Sequence, residues 1–132
     1  MKFTSIRIIT DDPQRLVDFY ERLTGVQAAW SNDVFAEVTL PSFTLAIAGT
    51  ATVGLFGPGT AHATDNHSAI IEFLVDDVDA EYDRLSPWVT DFVGVPATMP
   101  WGNRSLLLRD PDGNLVNLFT PVTEQAIAKF LG

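Results

Sequence analysis

The chain contains no cysteine, and this absence excludes disulfide bridges, thiolate metal ligands and a cysteine nucleophile. It also lacks a long hydrophobic run, since no apolar segment approaches the roughly 20 residues that a bilayer-spanning helix requires. The first residues, Met1-Lys2-Phe3-Thr4, lead directly into an apolar, strand-like segment. We therefore expect a soluble protein of a reducing compartment, the cytoplasm, with no membrane partner.

Basic residues are scarce in this sequence. Lysine and arginine together number 8 against 17 aspartates and glutamates, which gives a formal net charge of -9 at pH 7. A surface of this sign repels the phosphates of nucleic acids and the headgroups of anionic lipids. We therefore expect no nucleic-acid partner, whereas a cationic partner is compatible with this charge.

The chain repeats its own beginning after 65 residues. Residues 5–12 and residues 70–77 are both strand-like, and both end in an Asp-Asp pair. Apolar residues recur at helical spacing after each pair, so that a strand-to-helix step occurs twice. With 132 residues, of which 46% are hydrophobic, the chain is long enough for one domain. The repeat indicates that this domain consists of two copies of one unit.

Each copy is predicted to have the order β-α-β-β-β. In the first copy Asp12 suits a helix N-cap, Pro13 suits the first helical position, and Gly25 suits a left-handed C-cap. In the second copy the run Asp-Pro-Asp-Gly-Asn at 110–114 predicts a hairpin turn, with positive backbone angles at its Gly and Asn.

The two modules are predicted to cover about residues 1–56 and 70–122 of a single domain that spans 1–132. A polar segment with glycine and proline, at 57–69, is interpreted as the linker between them. Helices are predicted at 13–24, 77–85 and 123–131, and strands at 28–30, 34–40, 43–48, 70–75 and 90–95, with a hairpin over 104–120. The last helix is a short C-terminal addition to the second module.

Two stretches of the chain carry a resemblance to a known family. They are Asp12 through Phe19-Tyr20 to Leu23-Thr24-Gly25, and Trp101-Gly102 through the turn at 110–114. Together with the repeat, they resemble the vicinal oxygen chelate superfamily, in its glyoxalase/bleomycin-resistance protein/dioxygenase-like branch. The resemblance covers nearly the whole chain. It implies an α+β fold in which two βαβββ modules form an open, cup-shaped sheet.

The resemblance also implies where a metal would be bound, because catalytic members of that family hold a divalent ion with one ligand on each of four strands. In this chain Ser5 and Ile70 stand at the two histidine positions and Asn117 stands at a glutamate position. The remaining strand, at 43–48, has no carboxylate. These residues do not supply the imidazole and carboxylate donors that such an ion needs. We therefore expect no metal and no other cofactor.

Strand alternation predicts which side chains line the cup. Counting in steps of two from the metal positions places Arg7, Glu72, Asn117 and Phe119 on its inner face. Arg7 and Glu72 occupy equivalent places in the two modules, so they either flank a ligand with opposite charges or pair with each other. If Glu72 is buried it is also a candidate catalytic base, with Arg7 steadying an oxyanion.

The tryptophans and histidines have opposite interpretations. Trp30 and Trp101 are candidates for stacking on a planar ligand, with packing in the core or at a dimer interface as the alternative. Trp88 follows the end of a helix and is interpreted as a packing residue. His62 and His67 are the only histidines, and their place in the linker indicates solvated loop residues rather than ligands.

Three functions remain open from the sequence. The first is a metal-free protein that binds a small organic molecule, sequesters an antibiotic or metabolite, and works as a homodimer. The second is a glyoxalase-like lyase or isomerase that acts on a small carbonyl compound through Glu72 and Arg7, or a metal enzyme whose ligands lie elsewhere in the chain. The third is a partner-binding or structural module whose cup is filled by its own side chains.

Overall fold

A computed structural model describes residues 1–132 and confirms the predicted α+β fold class. Eight strands and three α-helices follow one another in the predicted order. They are β1 (Ser5–Thr10), α1 (Pro13–Thr24), β2 (Ala29–Asn32), β3 (Phe35–Thr39), β4 (Thr44–Gly49), β5 (Ile70–Leu74), α2 (Val78–Leu85), β6 (Ala97–Thr98), β7 (Asn103–Arg109), β8 (Leu115–Pro121) and α3 (Glu124–Leu131). None of the helices is long and apolar enough to cross a membrane.

The chain divides into two compact units. The first unit contains residues 1–66 together with 111–113, and the second contains residues 67–110 together with 114–132. Each unit is built on one open, four-stranded mixed sheet. In both sheets the first strand of the unit is parallel to the last, and the remaining neighbours are antiparallel.

The sheet of the first unit has the strand order β1-β4-β3-β2, and α1 packs against one of its faces. The N-cap Asp12 accepts a hydrogen bond from the backbone N–H of Arg15, and Gly25 ends the helix with a φ of 72°. Between these ends α1 buries four apolar residues, namely Leu16, Val17, Tyr20 and Leu23. Its predicted bounds and both predicted caps are confirmed.

The sheet of the second unit has the order β5-β8-β7-β6, with α2 against one face. The N-cap Asp77 accepts from the backbone N–H groups of Asp79 and Ala80, so the two Asp-Asp pairs cap equivalent helices. We call the side of each sheet that α1 or α2 covers its helix face, and the opposite side its far face. In the second unit the terminal helix α3 packs on the far face, where the ring of Phe130 meets that of Phe119 edge-on at 5.0 Å.

Three details differ from the predictions. The strand predicted at 90–95 is reduced to a single bridge between Phe92 and Leu108, because Gly94 and Pro96 interrupt the pairing, and a short strand follows at Ala97–Thr98. In the turn at 110–114 only the glycine has a positive φ, and the asparagine does not. A 3₁₀ turn, Thr50–Leu55, follows β4 where no element was predicted.

Candidate ligand-binding site

Equivalent rows of side chains cross the far faces of the two sheets. The rows are Arg7, Ala46 and Glu37 in the first unit, and Glu72, Asn117 and Leu107 in the second. In each unit the row joins the parallel strand pair to its antiparallel neighbour. The same place in the repeated unit therefore carries a basic residue in one copy and an acidic residue in the other.

In the first unit Arg7 lies between two aromatic rings. Its guanidinium carbon is 4.9 Å from the centroid of Phe35 and 5.4 Å from that of Phe56. Arg7 takes part in no ion pair, and Glu37 stands two strands away, about 9.5 Å along the row. The rings hold the charged fork in position by cation–π attraction and leave its N–H donors available to an anionic or carbonyl group.

In the second unit Glu72 and Asn117 form a hydrogen-bonded pair. The amide nitrogen Nδ2 of Asn117 donates to Oε2 of Glu72 at 2.8 Å. A carboxylate only accepts, so this bond assigns Nδ2 of Asn117 to Glu72 and leaves Oδ1 of the same amide without a partner. Glu72 itself is exposed and forms no ion pair. The burial that the catalytic hypothesis requires of Glu72 is therefore not present.

Three polar atoms on the far face of the second unit are buried without a hydrogen-bond partner. They are Oδ1 of Asn117, Oγ of Ser105 and Oδ1 of Asn103, and their residues are only 9%, 6% and 7% exposed. Ser105 lies opposite Phe119 on the neighbouring strand, two residues from Asn117. Buried acceptors without donors are energetically unfavourable, so such atoms mark places that a ligand or water can satisfy.

Phe119 is placed on the far face, as predicted, but it is buried under the terminal helix. Its ring is 7% exposed and packs against Phe130 of α3. The start of α3 packs closely against the residue that precedes β7, since a Cβ atom on Gly102 would clash with Oγ1 of Thr123. The helix therefore covers the part of the far face around Phe119, and the uncovered part of the row lies toward Glu72.

Trp30 does not share a face with Arg7. A register shift between Trp30 and Asn32 aligns Trp30 with Ala36, whose side chain belongs to the helix face. There Trp30 borders a surface pocket that is also lined by Gln14 of α1 and by residues 31–33. Strand alternation gives no sign of this β-bulge, and the role of Trp30 as a stacking residue stays a prediction.

The other aromatic and imidazole candidates lie at the surface or in loops. Trp101 is 67% exposed in the turn before β7, which excludes the interpretation of Trp101 as a core residue. Trp88 is half-buried after the end of α2. His62 and His67 are exposed in the segment between β4 and β5, in agreement with their interpretation as loop residues.

One ion pair of the second unit joins its helix α2 to the helix face of the sheet. Arg104 on β7 donates to Asp79 at the start of α2 through two nitrogens, at 2.8 and 3.0 Å. This hydrogen bond holds the pKa of the Asp79 carboxyl below its ordinary value, and it raises the pKa of Arg104 in turn. The pair attaches α2 to the sheet and has no part in the far face.

The residues at the metal positions do not fit a divalent ion. Ser5 and Ile70 are exposed strand residues, Asn117 offers one amide oxygen, and β4 contains no carboxylate. No group of three or more histidine, aspartate or glutamate side chains lies close enough together to hold a metal. Asn117 is the one member of this set that retains a polar contact, through Glu72.

Sequence reasoning missed several far-face residues. Ser105 and Asn103 were predictable, because the hairpin turn at 110–114 sets the register that brings Ser105 opposite Phe119. Phe35 and Phe56 had no comparable signal. Phe56 follows a 3₁₀ turn that no periodicity announced, and its contact with Arg7 depends on that turn.

The family follows from a direct comparison of sequences. A family model for the glyoxalase/bleomycin resistance protein/dioxygenase superfamily matches residues 2–118. The chain belongs to this superfamily. The predicted resemblance is thereby confirmed. No curated protein matches the chain.

Solved structures of low sequence identity share the fold. A glyoxalase/bleomycin resistance protein/dioxygenase from Nocardioides is 21% identical with a TM-score of 0.77, over 94% of this chain and 85% of that one. A family enzyme from Burkholderia phytofirmans PsJN is 17% identical with a TM-score of 0.78, over 92% and 100%. TioX from Micromonospora sp. ML1 is 22% identical with a TM-score of 0.69, over 92% and 100%.

Proposed function

We propose that this member of the superfamily binds a small organic molecule without a metal, and that it sequesters or carries an antibiotic or metabolite. The observation that carries the proposal is the state of Asn117. It stands where the resemblance places a carboxylate ligand, donates to Glu72, and leaves a buried acceptor unpaired. An amide at this position supports binding of a polar organic group better than binding of a divalent metal.

The far face of the first unit supports the same function. Arg7 is held between Phe35 and Phe56 with no acidic partner, as expected of a residue that contacts ligand rather than one that only stabilises the fold. Exposed Trp101 offers a further flat surface for stacking. A lyase or isomerase that uses Glu72 as its base has less support, since Glu72 is exposed and engaged by Asn117.

Equilibrium dialysis against Mg²⁺, Mn²⁺, Fe²⁺, Co²⁺, Ni²⁺ and Zn²⁺ tests the metal-free part of the proposal. We expect no stoichiometric binding of any of them. The matched control is the double variant Ile70→His, Asn117→Glu, which restores two of the family's ligand types on the paired strands β5 and β8 of the second unit and should raise metal affinity. Stoichiometric, tight metal binding by the unaltered chain would contradict the proposal.

We also propose that the chain forms a homodimer, as the family resemblance implies. The second unit exposes Trp101, Val122, Ile127 and Leu131, and exposed apolar side chains of this size support a contact between copies. Sedimentation at micromolar concentration is expected to give twice the 14.4 kDa of one chain. A single species of one-chain mass would contradict the dimer without touching the ligand-binding proposal.

A further inference from the structure

We propose that the far face of the second unit binds the protonated amine of its ligand, between the carboxylate of Glu72 and the buried oxygen of Asn117. This assignment rests on the proposed ligand-binding function and adds the chemical class of the group that is bound. Several buried polar atoms of this face lack a hydrogen-bond partner, and they need donors.

The polar atoms without a partner can all accept a hydrogen bond. Oδ1 of Asn117 and Oδ1 of Asn103 can only accept, and the carboxylate of Glu72 is exposed and free of any ion pair. Oγ of Ser105 can accept as well, and it also has no partner. A group that satisfies this set must bring several N–H or O–H donors and gains most if it carries positive charge.

The basic residues of the second unit do not supply that charge to the row. Arg104 lies on the helix face and is paired with Asp79. Arg109 shares the far face but stands in the next row, opposite Leu115. Lys129 of α3 lies 5.0 Å from the ring centroid of Phe130. Arg84 of α2 is paired with Glu81. No basic side chain of the unit is therefore paired with Glu72.

The row is reached from its Glu72 end. Glu72 is exposed on β5, the edge strand of the sheet, whereas α3 covers the part of the face around Phe119. An ammonium group that binds beside this pair can donate one N–H to Oε1 of Glu72, the oxygen that Asn117 does not engage, and another to Oδ1 of Asn117, the next residue of the row. Ser105 and Asn103, deeper under α3, provide acceptors for a longer polyamine or amide-bearing ligand.

Three aromatic fragments of similar size test the assignment. Benzylamine, benzyl alcohol and benzoate are titrated separately at pH 7 into the ¹⁵N-labelled full chain, and the side-chain amide signals of Asn117 and Asn103 are followed by NMR. We expect a saturable shift with benzylamine, binding at least about tenfold weaker with benzyl alcohol, and no shift of these signals with benzoate.

Two variants locate the binding. Glu72→Gln and Asn117→Leu should each weaken benzylamine binding about tenfold. Asp65→Asn, in the exposed segment before β5, removes the same charge elsewhere and should bind like the unaltered protein. If Asn117→Leu does not fold, Glu72→Gln still decides, because Glu72 is exposed and its replacement keeps an acceptor for the amide of Asn117.

The assignment is overturned by any of three results. They are the absence of a saturable shift with every fragment, a preference for benzoate, or an equal loss of benzylamine affinity in Asp65→Asn and Glu72→Gln. Water alone would then satisfy the buried acceptors. The proposed metal-free function is contradicted by a different result, namely stoichiometric metal binding in dialysis. A protein that binds no metal but retains only acidic molecules would refute the amine site alone.

Discussion

The two units share one arrangement of strands but have opposite chemistry on their far faces. In the first unit the row begins with Arg7, stacked between aromatic rings, and continues through Ala46, whose methyl group offers no hydrogen bond. In the second it begins with Glu72 and continues through Asn117, which accepts and donates. The repeated strand arrangement sets equivalent side-chain positions in the two units, and the residue type at each position determines which chemical groups can bind there.

The terminal helix makes a second difference between the units. The far face of the second unit is partly covered by α3, which begins beside Gly102 and packs Phe130 on Phe119. In the first unit no α-helix follows the last strand, and the 3₁₀ turn Thr50–Leu55 brings Phe56 to Arg7 instead. The second unit thus covers part of its far face with a helix, whereas in the first unit the segment after the last strand adds only the ring of Phe56 beside Arg7.

The largest loss of stability is expected from a substitution at the start of α3, where this helix packs beside Gly102. Gly102→Ala should destabilise the fold by about 2 to 4 kcal/mol, because φ is +95° and the added Cβ meets Thr123 at 2.1 Å. Gly113→Ala is the matched control, since its φ of +84° imposes similar backbone strain but nothing lies within 4 Å. We expect a loss of about 1 to 2 kcal/mol there. Chemical denaturation measures both, and equal losses would show that α3 is not held closely against Gly102.

A smaller effect separates the two tryptophans. Trp30→Ala should lower the free energy of unfolding by about 1 to 2 kcal/mol, since its ring is only 38% exposed on the helix face. Trp101→Ala, at 67% exposure, should change it by less than about 0.5 kcal/mol. Denaturant titration of the two variants decides the point, and a larger loss for Trp101 would mean that this residue packs in the fold.

The aromatic contacts of Arg7 should contribute still less to the free energy of unfolding. A double-mutant cycle with Arg7→Met and Phe56→Leu is expected to give a coupling energy of about 0.5 to 1 kcal/mol, as measured for exposed cation–π pairs. Leu55→Ala, at the exposed neighbouring position, is the control and should show no coupling to Arg7. Zero coupling with Phe56 would remove that ring from the positioning of Arg7.

The smallest effect concerns pH and the helix face. Because Arg104 lowers the pKa of Asp79, the pair stabilises the fold above the ordinary aspartate value of 3.8 and loses this contribution as the pH falls through the folded pKa. Asp79→Asn should therefore lower Tm slightly at pH 7, and the difference should vanish toward pH 2. Asp83→Asn, on the same helix but in no ion pair, is the control and should leave Tm unchanged. A difference in Tm for Asp79→Asn that persists at pH 2 would show that the ion pair is not its cause.

Much of the fold was predictable because local signals agreed. The two Asp-Asp pairs cap helices, Gly25 ends α1 in the left-handed region, and the turn at 110–114 joins a regular hairpin. The interrupted strand near 90–95 was not predictable. Gly94 and Pro96 weaken a strand, but the sequence does not show which residue still pairs, and in the structure only Phe92 does.

The candidate site was predictable in part. Alternation placed Arg7, Glu72, Asn117 and Phe119 on the far faces, because residues two apart on a strand point the same way. It could not reveal that α3 covers Phe119, which depends on tertiary packing of Phe130. The roles of these residues in binding stay predictions.

The proposed organic ligand is expected at the place where superfamily members with a complete ligand set would bind a metal. Native mass spectrometry of the protein, purified without chelators, distinguishes the two. We predict the chain mass, or twice that mass, with an organic adduct that is lost on denaturation and with no metal. A folded protein that carries one divalent metal ion per chain, and no organic adduct, would contradict it.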